Sequence, residues 1–386
     1  MLIVNGTVHT MEGLTIPNGY VAVSGDKIAG TGPMEECPEN WEGERVDARE
    51  GHILPGYVDA HCHLGMFGDA LGFEGDDGNE STDPCTPHLR AIDAINPLDR
   101  CFQEARAAGV TTVLTGPGSA NPISGQFAAI KTNGRWVDAM VVKAPVAMKL
   151  ALGENPKWVY NERHETPVTR MATAALIREG LAAARRYRSD LAAHEADPEN
   201  LDAPEFDAKH EALLPLLRGE CKAFFHCHRA DDMFTALRIA REFGLDPVLV
   251  HGTEGHLIAD LLAPEGVGVI IGPLLCDRCK PELVHAELKN GAELHRNGVP
   301  IAICTDHPEV PLQYLPLSAA AAVKGGLPYD AALYAITLGA ARLAGIDDRV
   351  GSITPGKDAD LQCYREDPLN FLTEPEWVMI DGEVVT

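Results

Sequence analysis

Through the middle of the 386-residue chain, short apolar runs alternate with stretches of helical periodicity. This alternation begins near residue 56 and is the rhythm of parallel βα units. Eight apolar runs are present, the number that a closed (β/α)8 barrel needs. The predicted strands are YVDAHCH (57–63), GVTTVLTG (109–116), WVDAMVV (136–142), PVAMKLAL (145–152), KAFFHCH (222–228), PVLVHG (247–252), GVGVIIG (266–272) and VPIAICTDH (299–307).

The two ends of the chain have a different texture, with short alternating strands broken by Gly and Asn turns. We therefore predict an α/β protein in which residues 1–55 plus 347–386 pair into a small β-sandwich domain. Residues 56–346 form the barrel, a TIM-type (β/α)8 fold, with a helical insertion at about 151–220. That insertion is interpreted either as a lid over the catalytic rim or as a surface extension, for example a contact within a homo-oligomer.

Reactive side chains follow the predicted strands at the ends where a barrel carries its active site. They are His61, His63, Lys149, His226, His228, His251 and Asp306. His61 and His63 are two residues apart, so both face the same side of a strand, while Cys62 faces the helices. Two imidazoles at a strand end suit Zn²⁺ or a similar divalent metal. The alternative is a hydrogen-bonded pair of core histidines.

Two charged residues are out of place in apolar strands and therefore need partners. Asp306 can bind a metal ion and also take the proton from a metal-bound water; the alternative is a helix cap before Pro308. Burial of Lys149 favours its neutral amine, which can react with CO₂ to give a carbamate that bridges two metal ions. The alternative is a buried lysine paired with Glu154 or Asp306.

The remaining histidines complete the predicted site. His251 ends the sixth strand, and His226 and His228 share one face of the fifth. We favour His226 as the metal ligand and His228 as a neighbouring polar group. The predicted metal ligands are thus His61, His63, Lys149, His226, His251 and Asp306. Asp306 is the predicted proton carrier, and His251 or His228 is predicted to stabilise the oxyanion.

Composition narrows the class of protein. The net charge of −25 disfavours binding to nucleic acids and to anionic membranes. No secretory signal or membrane span is visible, and ten scattered cysteines suit a reducing cytoplasm, so we expect a cytoplasmic enzyme acting on a small molecule.

A long loop follows the first predicted strand and is rich in acidic side chains. Its acidic residues are Asp69, Glu74, Asp76, Asp77, Glu80 and Asp83. They either recognise a cationic substrate or form a solvated surface, and we favour the solvated surface.

Several motifs resemble those of the amidohydrolase superfamily, in the branch of imidazolonepropionase-like proteins and metal-dependent prolidases. They are LPGYVDAHCHLG (54–65), GVTTVLT (109–115), MKLALGENPK (148–157), FHCHRADD (225–232), HGTEG (251–255), CTDHP (304–308) and GSITPGKDADL (351–361). The resemblance implies a barrel, one or two divalent metals and hydrolysis of a carbon–nitrogen bond. It also implies first-strand ligands at His61 and His63, and a carboxylated lysine at Lys149.

Other functions remain as alternatives. A prolidase-like dipeptidase uses the same chemistry. A deaminase of a nitrogen heterocycle has the same fold, but deaminases usually place a Glu shortly after the fifth-strand His, where this chain has Arg229 and Asp231. A non-catalytic binding protein is least expected, because every ligand position is filled.

Overall fold

The computed structural model describes residues 1–68 and 71–386. The described strands are β1 (Leu2–His9), β2 (Thr15–Ser24), β3 (Lys27–Pro33), β4 (Arg45–Asp47), β5 (His52–Pro55), β6 (Tyr57–Cys62), β7 (Val110–Thr115), β8 (Ile123–Lys131), β9 (Val141–Ala151), β10 (Lys222–Cys227), β11 (Pro247–His251), β12 (Gly268–Ile271), β13 (Ile301–Ile303), β14 (Leu361–Tyr364), β15 (Trp377–Ile380) and β16 (Glu383–Val384). The described α-helices are α1 (Arg100–Ala107), α2 (Glu154–Glu162), α3 (Arg170–Ala196), α4 (Ala208–Leu217), α5 (Ala230–Phe243), α6 (Ala259–Leu262), α7 (Asn290–Arg296), α8 (Leu315–Lys324), α9 (Tyr329–Ala335) and α10 (Leu338–Ala344).

Strands β6 to β13 form one eight-stranded sheet in chain order, which confirms the predicted α/β barrel. The first and last strands of this order lie side by side. The Asp306 N–H donates to the His61 carbonyl at 3.1 Å, and the His63 N–H donates to the His307 carbonyl at 2.9 Å. These bonds bring the ends of β6 and β13 together, so the side chains that follow the two strands meet at one mouth.

The predicted third and fourth strands were wrong in their boundaries. Residues 137–139 form a 3₁₀ turn, and a single strand, β9, covers most of the two predicted segments, 136–142 and 145–152. The third barrel strand is β8, which runs antiparallel to both β7 and β9. Residues 116–122 and 132–140 connect these strands, and they are too short for the crossover of a dozen or more residues that a parallel pair needs.

The two ends of the chain pair into the second sheet, as predicted. Its order is β16-β15-β14-β5-β1-β2-β3, with β4 added beside β1. The antiparallel pairing of β5 with β14 joins the N-terminal and C-terminal segments, with Leu54 opposite Gln362. The exact domain boundaries stay a prediction.

A buried ionic cluster lies at the end of the barrel opposite the mouth. Lys131 is the last residue of β8, and its Nζ lies 2.6 Å from Asp360, 2.9 Å from Asp358 and 3.2 Å from Asp381. Arg349, at 2.7 Å, and Lys27 add two further cations to Asp358. The GKDADL segment therefore couples the terminal sheet to the barrel through charge.

The segment between β9 and β10 contains helices α2, α3 and α4. The long α3 packs on α5 through ion pairs between Arg178 and Glu242 at 2.6 Å and between Arg170 and Asp232 at 3.1 Å. None of the helices in the described part of the chain combines the length and apolarity that crossing a bilayer requires.

Candidate active site

The predicted ligands from the first and last barrel strands converge. His61 Nδ1 lies 3.1 Å and His63 Nε2 lies 3.4 Å from Asp306 Oδ1. One ligand atom from each of the three residues lies within 4.8 Å of the other two. These residues are separated by about 245 positions in the chain, and only the closure of the sheet brings them together.

Three histidines from β10 and β11 form a second group beside the first. One nitrogen from each of His226, His228 and His251 lies within 4.8 Å of the others. The His251 ring centroid is 4.6 Å from that of His226 and 5.5 Å from that of His61. The two groups are therefore parts of one site, and His251 lies between them.

Lys149 connects the site to the barrel interior. Its side chain is buried, its ammonium contacts His61 Nε2, and it lies 5.4 Å from the centroid of the Phe127 ring. Neither Glu154 nor Asp306 forms a salt bridge with it within the described residues, so the predicted alternative pairing is absent there. Phe127 also stacks on His61 at a centroid distance of 5.0 Å and forms the floor of the site.

The residues present fit a metal ion. Buried His61 Nδ1, His226 Nδ1 and Asp306 Oδ1 have no hydrogen-bond partner, which is costly for polar atoms without a ligand. His63 and His251 are held by their other nitrogens instead. Nδ1–H of His63 donates to the Gly116 carbonyl at 2.6 Å, and Nδ1–H of His251 donates to the Gly272 carbonyl at 2.8 Å. Each Nε2 is thereby left free to bind a cation.

His226 and His228 differ in the contacts that their ring nitrogens make with neighbouring side chains. His228 is flanked by Thr253, whose Oγ1 lies 2.7 Å from Nδ1, and by Glu282, whose Oε1 lies 3.6 Å from Nε2. His226 Nε2 has longer contacts, 3.4 Å to Asn155 Nδ2 and 3.9 Å to Glu282 Oε1, and its Nδ1 has no hydrogen-bond partner. The unpartnered Nδ1 favours His226 as the fifth-strand ligand, which remains a prediction.

Burial keeps the imidazoles in the neutral form that binds metals. It is the main cause that lowers the pKa of His226 and His228 well below the usual value, and it lowers the pKa of His251 to about 4. Burial alone would raise the pKa of Asp306. The neighbouring imidazoles of His251 and His61 outweigh it and hold that pKa well below the usual value, so the carboxylate is ionised.

Two of the converging residues have left-handed backbone conformations. The φ angles are 75° at His251 and 56° at Asp306, in a region that residues with a side chain seldom adopt. Such conformations cost about 1–3 kcal/mol each and cluster at functional sites. At both positions the backbone turns immediately after the strand, where the side chain enters the site.

Asp59 supports the mouth from below and was missed in the sequence. It accepts hydrogen bonds from the N–H of Thr305 at 3.1 Å and the N–H of His61 at 3.1 Å. Burial raises its pKa to about 7 despite these bonds. The available signal was the one used for Asp306, a carboxylate inside an apolar run.

A cavity of about 600 Å³ opens above the converging residues. Of the described part of the long loop after β6, Phe67 and Asn79 line it, whereas Asp83 pairs with Lys209 at 2.6 Å. This arrangement agrees with a solvated acidic loop; Asp69 lies outside the described residues. On the opposite side, Asn155 of α2 lines the cavity, so the insertion contributes part of the wall.

Comparison with known proteins gives the family. Residues 52–385 match the Amidohydrolase family. The chain belongs to the amidohydrolase family. It is therefore a hydrolase that acts on carbon–nitrogen bonds, and its family is generally metal-dependent.

Three similar proteins extend this result. The amidohydrolase structure from Thermotoga maritima MSB8 is 41% identical, with a TM-score of 0.94 over 100% of this chain and 99% of that one. Amidohydrolase tasK of Hapsidospora irregularis is 32% identical over 92% of this chain, which spans 38% of tasK. An imidazolonepropionase of Rhizorhabdus wittichii is 27% identical over 90% of this chain and 88% of its own length.

Two residues that bear on the deaminase alternative lie apart from the cavity lining of this amidohydrolase. Arg229 precedes α5 and forms a salt bridge with Asp231 at 2.8 Å, and both side chains are about half exposed. Asp231 therefore does not occupy the place of an acidic residue that faces the substrate.

The amidohydrolase also has polar residues in the cavity wall that sequence patterns did not indicate. Lys280, from the loop after β12, lies 3.0 Å from Asn155 Oδ1 and 3.1 Å from Glu282 Oε1. Lys280 lies in a loop and Glu282 in a single 3₁₀ turn, Pro281–Leu283, so no sequence periodicity distinguished them from other charged residues.

Proposed function

We propose that this amidohydrolase cleaves an amide or cyclic amide bond of a small molecule with the help of one or two divalent metal ions. The observation that carries the proposal is the convergence of His61, His63 and Asp306 around buried atoms without hydrogen-bond partners. Imidazoles and a carboxylate suit Zn²⁺, although other transition metals accept the same ligands. The proposed ligands are His61, His63, Lys149, His226, His251 and Asp306.

A divalent ion bound here would polarise the substrate carbonyl and lower the pKa of a water molecule from about 15.7 to near 7. Asp306, which is ionised and has a free Oδ1, accepts the proton of the attacking water and delivers it to the leaving nitrogen. His228 donates a hydrogen bond to the oxygen on which negative charge develops. Of the two predicted histidines, neutral His251 already gives its Nδ1–H to the Gly272 carbonyl and has no second N–H to donate. One carboxylate thus acts first as base and then as acid.

Lys149 is proposed to carry a carbamate. Burial is the main cause that lowers its pKa to about 8, so an appreciable fraction of the amine is neutral near physiological pH. The neutral amine adds to the carbon of dissolved CO₂ and releases one proton. The resulting anion replaces a buried cation and offers two oxygens between the two histidine groups.

The test is a substrate screen with zinc-loaded protein. The panel contains N-acyl amino acids, dipeptides, cyclic ureides and imidazolone propionates, the last because one relative is named an imidazolonepropionase. We expect a new carboxylate and a new amine to appear with wild-type protein, and no such products with Asp306→Asn. Release of ammonia from a heterocycle would indicate the deaminase alternative instead. Equal rates with and without the Asp306 carboxylate would contradict the proposal.

A further inference from the structure

Lys280 presents a fixed ammonium group to the cavity. Its side chain lines the cavity and is one quarter exposed. The ammonium donates a hydrogen bond to Asn155 Oδ1 at 3.0 Å and forms an ion pair with Glu282 Oε1 at 3.1 Å. Because an ammonium group has three donors, at least one remains for a molecule in the cavity.

The support behind Lys280 is itself buried. The Glu282 side chain is 1% exposed, and its Oε2 accepts a hydrogen bond from the Glu154 N–H at 3.0 Å. Gly153 makes room for this carboxylate, since a Cβ at that position would lie 2.7 Å from Glu282 Oε2. Asn155 is fixed on its other side by a bond to Ser119 Oγ at 2.8 Å. Lys280 therefore loses little side-chain freedom when it binds a ligand.

Lys280 is not the only cation on its side of the cavity. Arg278 also lines the cavity, although the carboxylates of Glu287 and Glu309 line it too. The Arg278 guanidinium donates to the Ala286 carbonyl at 2.6 Å, and no carboxylate of the described residues forms a salt bridge with it. Glu287, a carboxylate of the same wall, is paired with Lys289 at 2.7 Å.

We propose that Lys280, held by Glu282 and Asn155 and assisted by Arg278, binds a carboxylate group of the substrate. This inference rests on the proposed function and narrows its substrates to amides or cyclic amides that carry a free carboxylate. A fixed ammonium with one open donor forms a charge-assisted hydrogen bond to such a group. A substrate in which an uncharged amide replaces the carboxylate has no anion to offer at this position.

The experiment compares binding of N-acetyl-L-leucine with that of the uncharged N-acetyl-L-leucinamide to zinc-loaded protein by calorimetry. We expect wild-type protein to bind the acid more tightly, by about 10- to 100-fold, and Lys280→Met to lose most of that preference. Lys280→Arg keeps the charge and should retain part of the preference for the acid. Lys324→Met is the matched control, because that exposed lysine at the end of α8 lies outside the cavity lining, and it should retain the full preference.

Two results would overturn the inference. Wild-type protein that binds the acid and the amide equally well has no carboxylate subsite. A preference that survives in Lys280→Met would mean that the metal ion alone holds the carboxylate. Both results leave hydrolysis itself unaffected, so the substrate screen separates a failure of this inference from a failure of the proposed function. Metal content and melting temperature, measured on each variant, exclude misfolding as the cause.

Discussion

Two buried lysines lie on neighbouring antiparallel strands and point to opposite roles. Lys131 is the last residue of β8, at the end of the barrel opposite the mouth, and is 3% exposed. Lys149 lies near the end of β9, at the mouth, and is 1% exposed. Burial acts on both in the same direction. Yet the pKa of Lys131 is raised, and the pKa of Lys149 is lowered to about 8.

The difference comes from their neighbours. Three carboxylates, those of Asp358, Asp360 and Asp381, surround Lys131 and outweigh its burial. Lys149 contacts the imidazole of His61 and the ring of Phe127, which cannot replace the water that a cation loses. A buried charge with its partners in place stabilises the fold, whereas one without them is available for chemistry. The same contrast separates the two ends of the barrel.

The largest effect is expected at the mouth. Asp306→Asn should lower kcat by about 10²- to 10⁴-fold, because it removes the proton carrier. The free energy of unfolding should change much less, since asparagine has nearly the same shape and volume as aspartate and leaves no cavity. Steady-state kinetics and urea unfolding measure the two quantities. A variant with reduced stability but a normal kcat would mean that Asp306 stabilises the fold and does not carry the proton.

At the end of the barrel opposite the mouth, a substitution should change stability and leave kcat unaffected. Lys131→Met should lower the free energy of unfolding by about 3–5 kcal/mol, because it leaves the buried carboxylate of Asp360 without a cation. Metal content and kcat of the folded protein should stay unchanged. Chemical denaturation and elemental analysis on the same sample check both. An undiminished stability would mean that the cluster gains no more than its burial costs.

A smaller effect should appear in the pH dependence of stability. Burial alone would raise the pKa of Asp358, but Lys131 and hydrogen bonds from Lys27 and Arg349 lower it from 3.8 to about 2. A lowered carboxyl pKa contributes stability that is present above about pH 4 and lost as the pH falls towards 2, of order 2 kcal/mol. The stability difference between wild type and Asp358→Asn should shrink by that amount across this window. A difference that does not vary with pH would contradict the assigned ion pairs.

The smallest expected change is a twofold loss of bound metal. Lys149→Ala should halve the metal content if a carbamate on Lys149 holds a second ion, and elemental analysis measures this. The Lys131→Met variant is the control, since it removes a buried lysine from the neighbouring strand without touching the site. Unchanged stoichiometry in Lys149→Ala would exclude the bridging role.

The barrel was predictable because its strands repeat a simple pattern, but one strand was missed. Between its two isoleucines, Ile123–Lys131 contains Gly125, Gln126 and two consecutive alanines, which are uncommon in strands and weaken the pattern. Its direction depended on the length of two connections rather than on its own residues. Phe127, the floor of the site, was overlooked together with this strand.

The sequence by itself determined the residue types of the site and their order, because His61, His63, Lys149, His226, His251 and Asp306 each interrupt or end an apolar strand. Parallel strands must expose such ends at one face of a barrel. Only the tertiary structure decided which loop residues join them. Lys280 lies in a loop and Glu282 in a single 3₁₀ turn, and their roles arise from contacts with Asn155 and Gly153, more than a hundred positions away. No local periodicity records such contacts, since they depend on how β12 and α2 are placed around the same cavity.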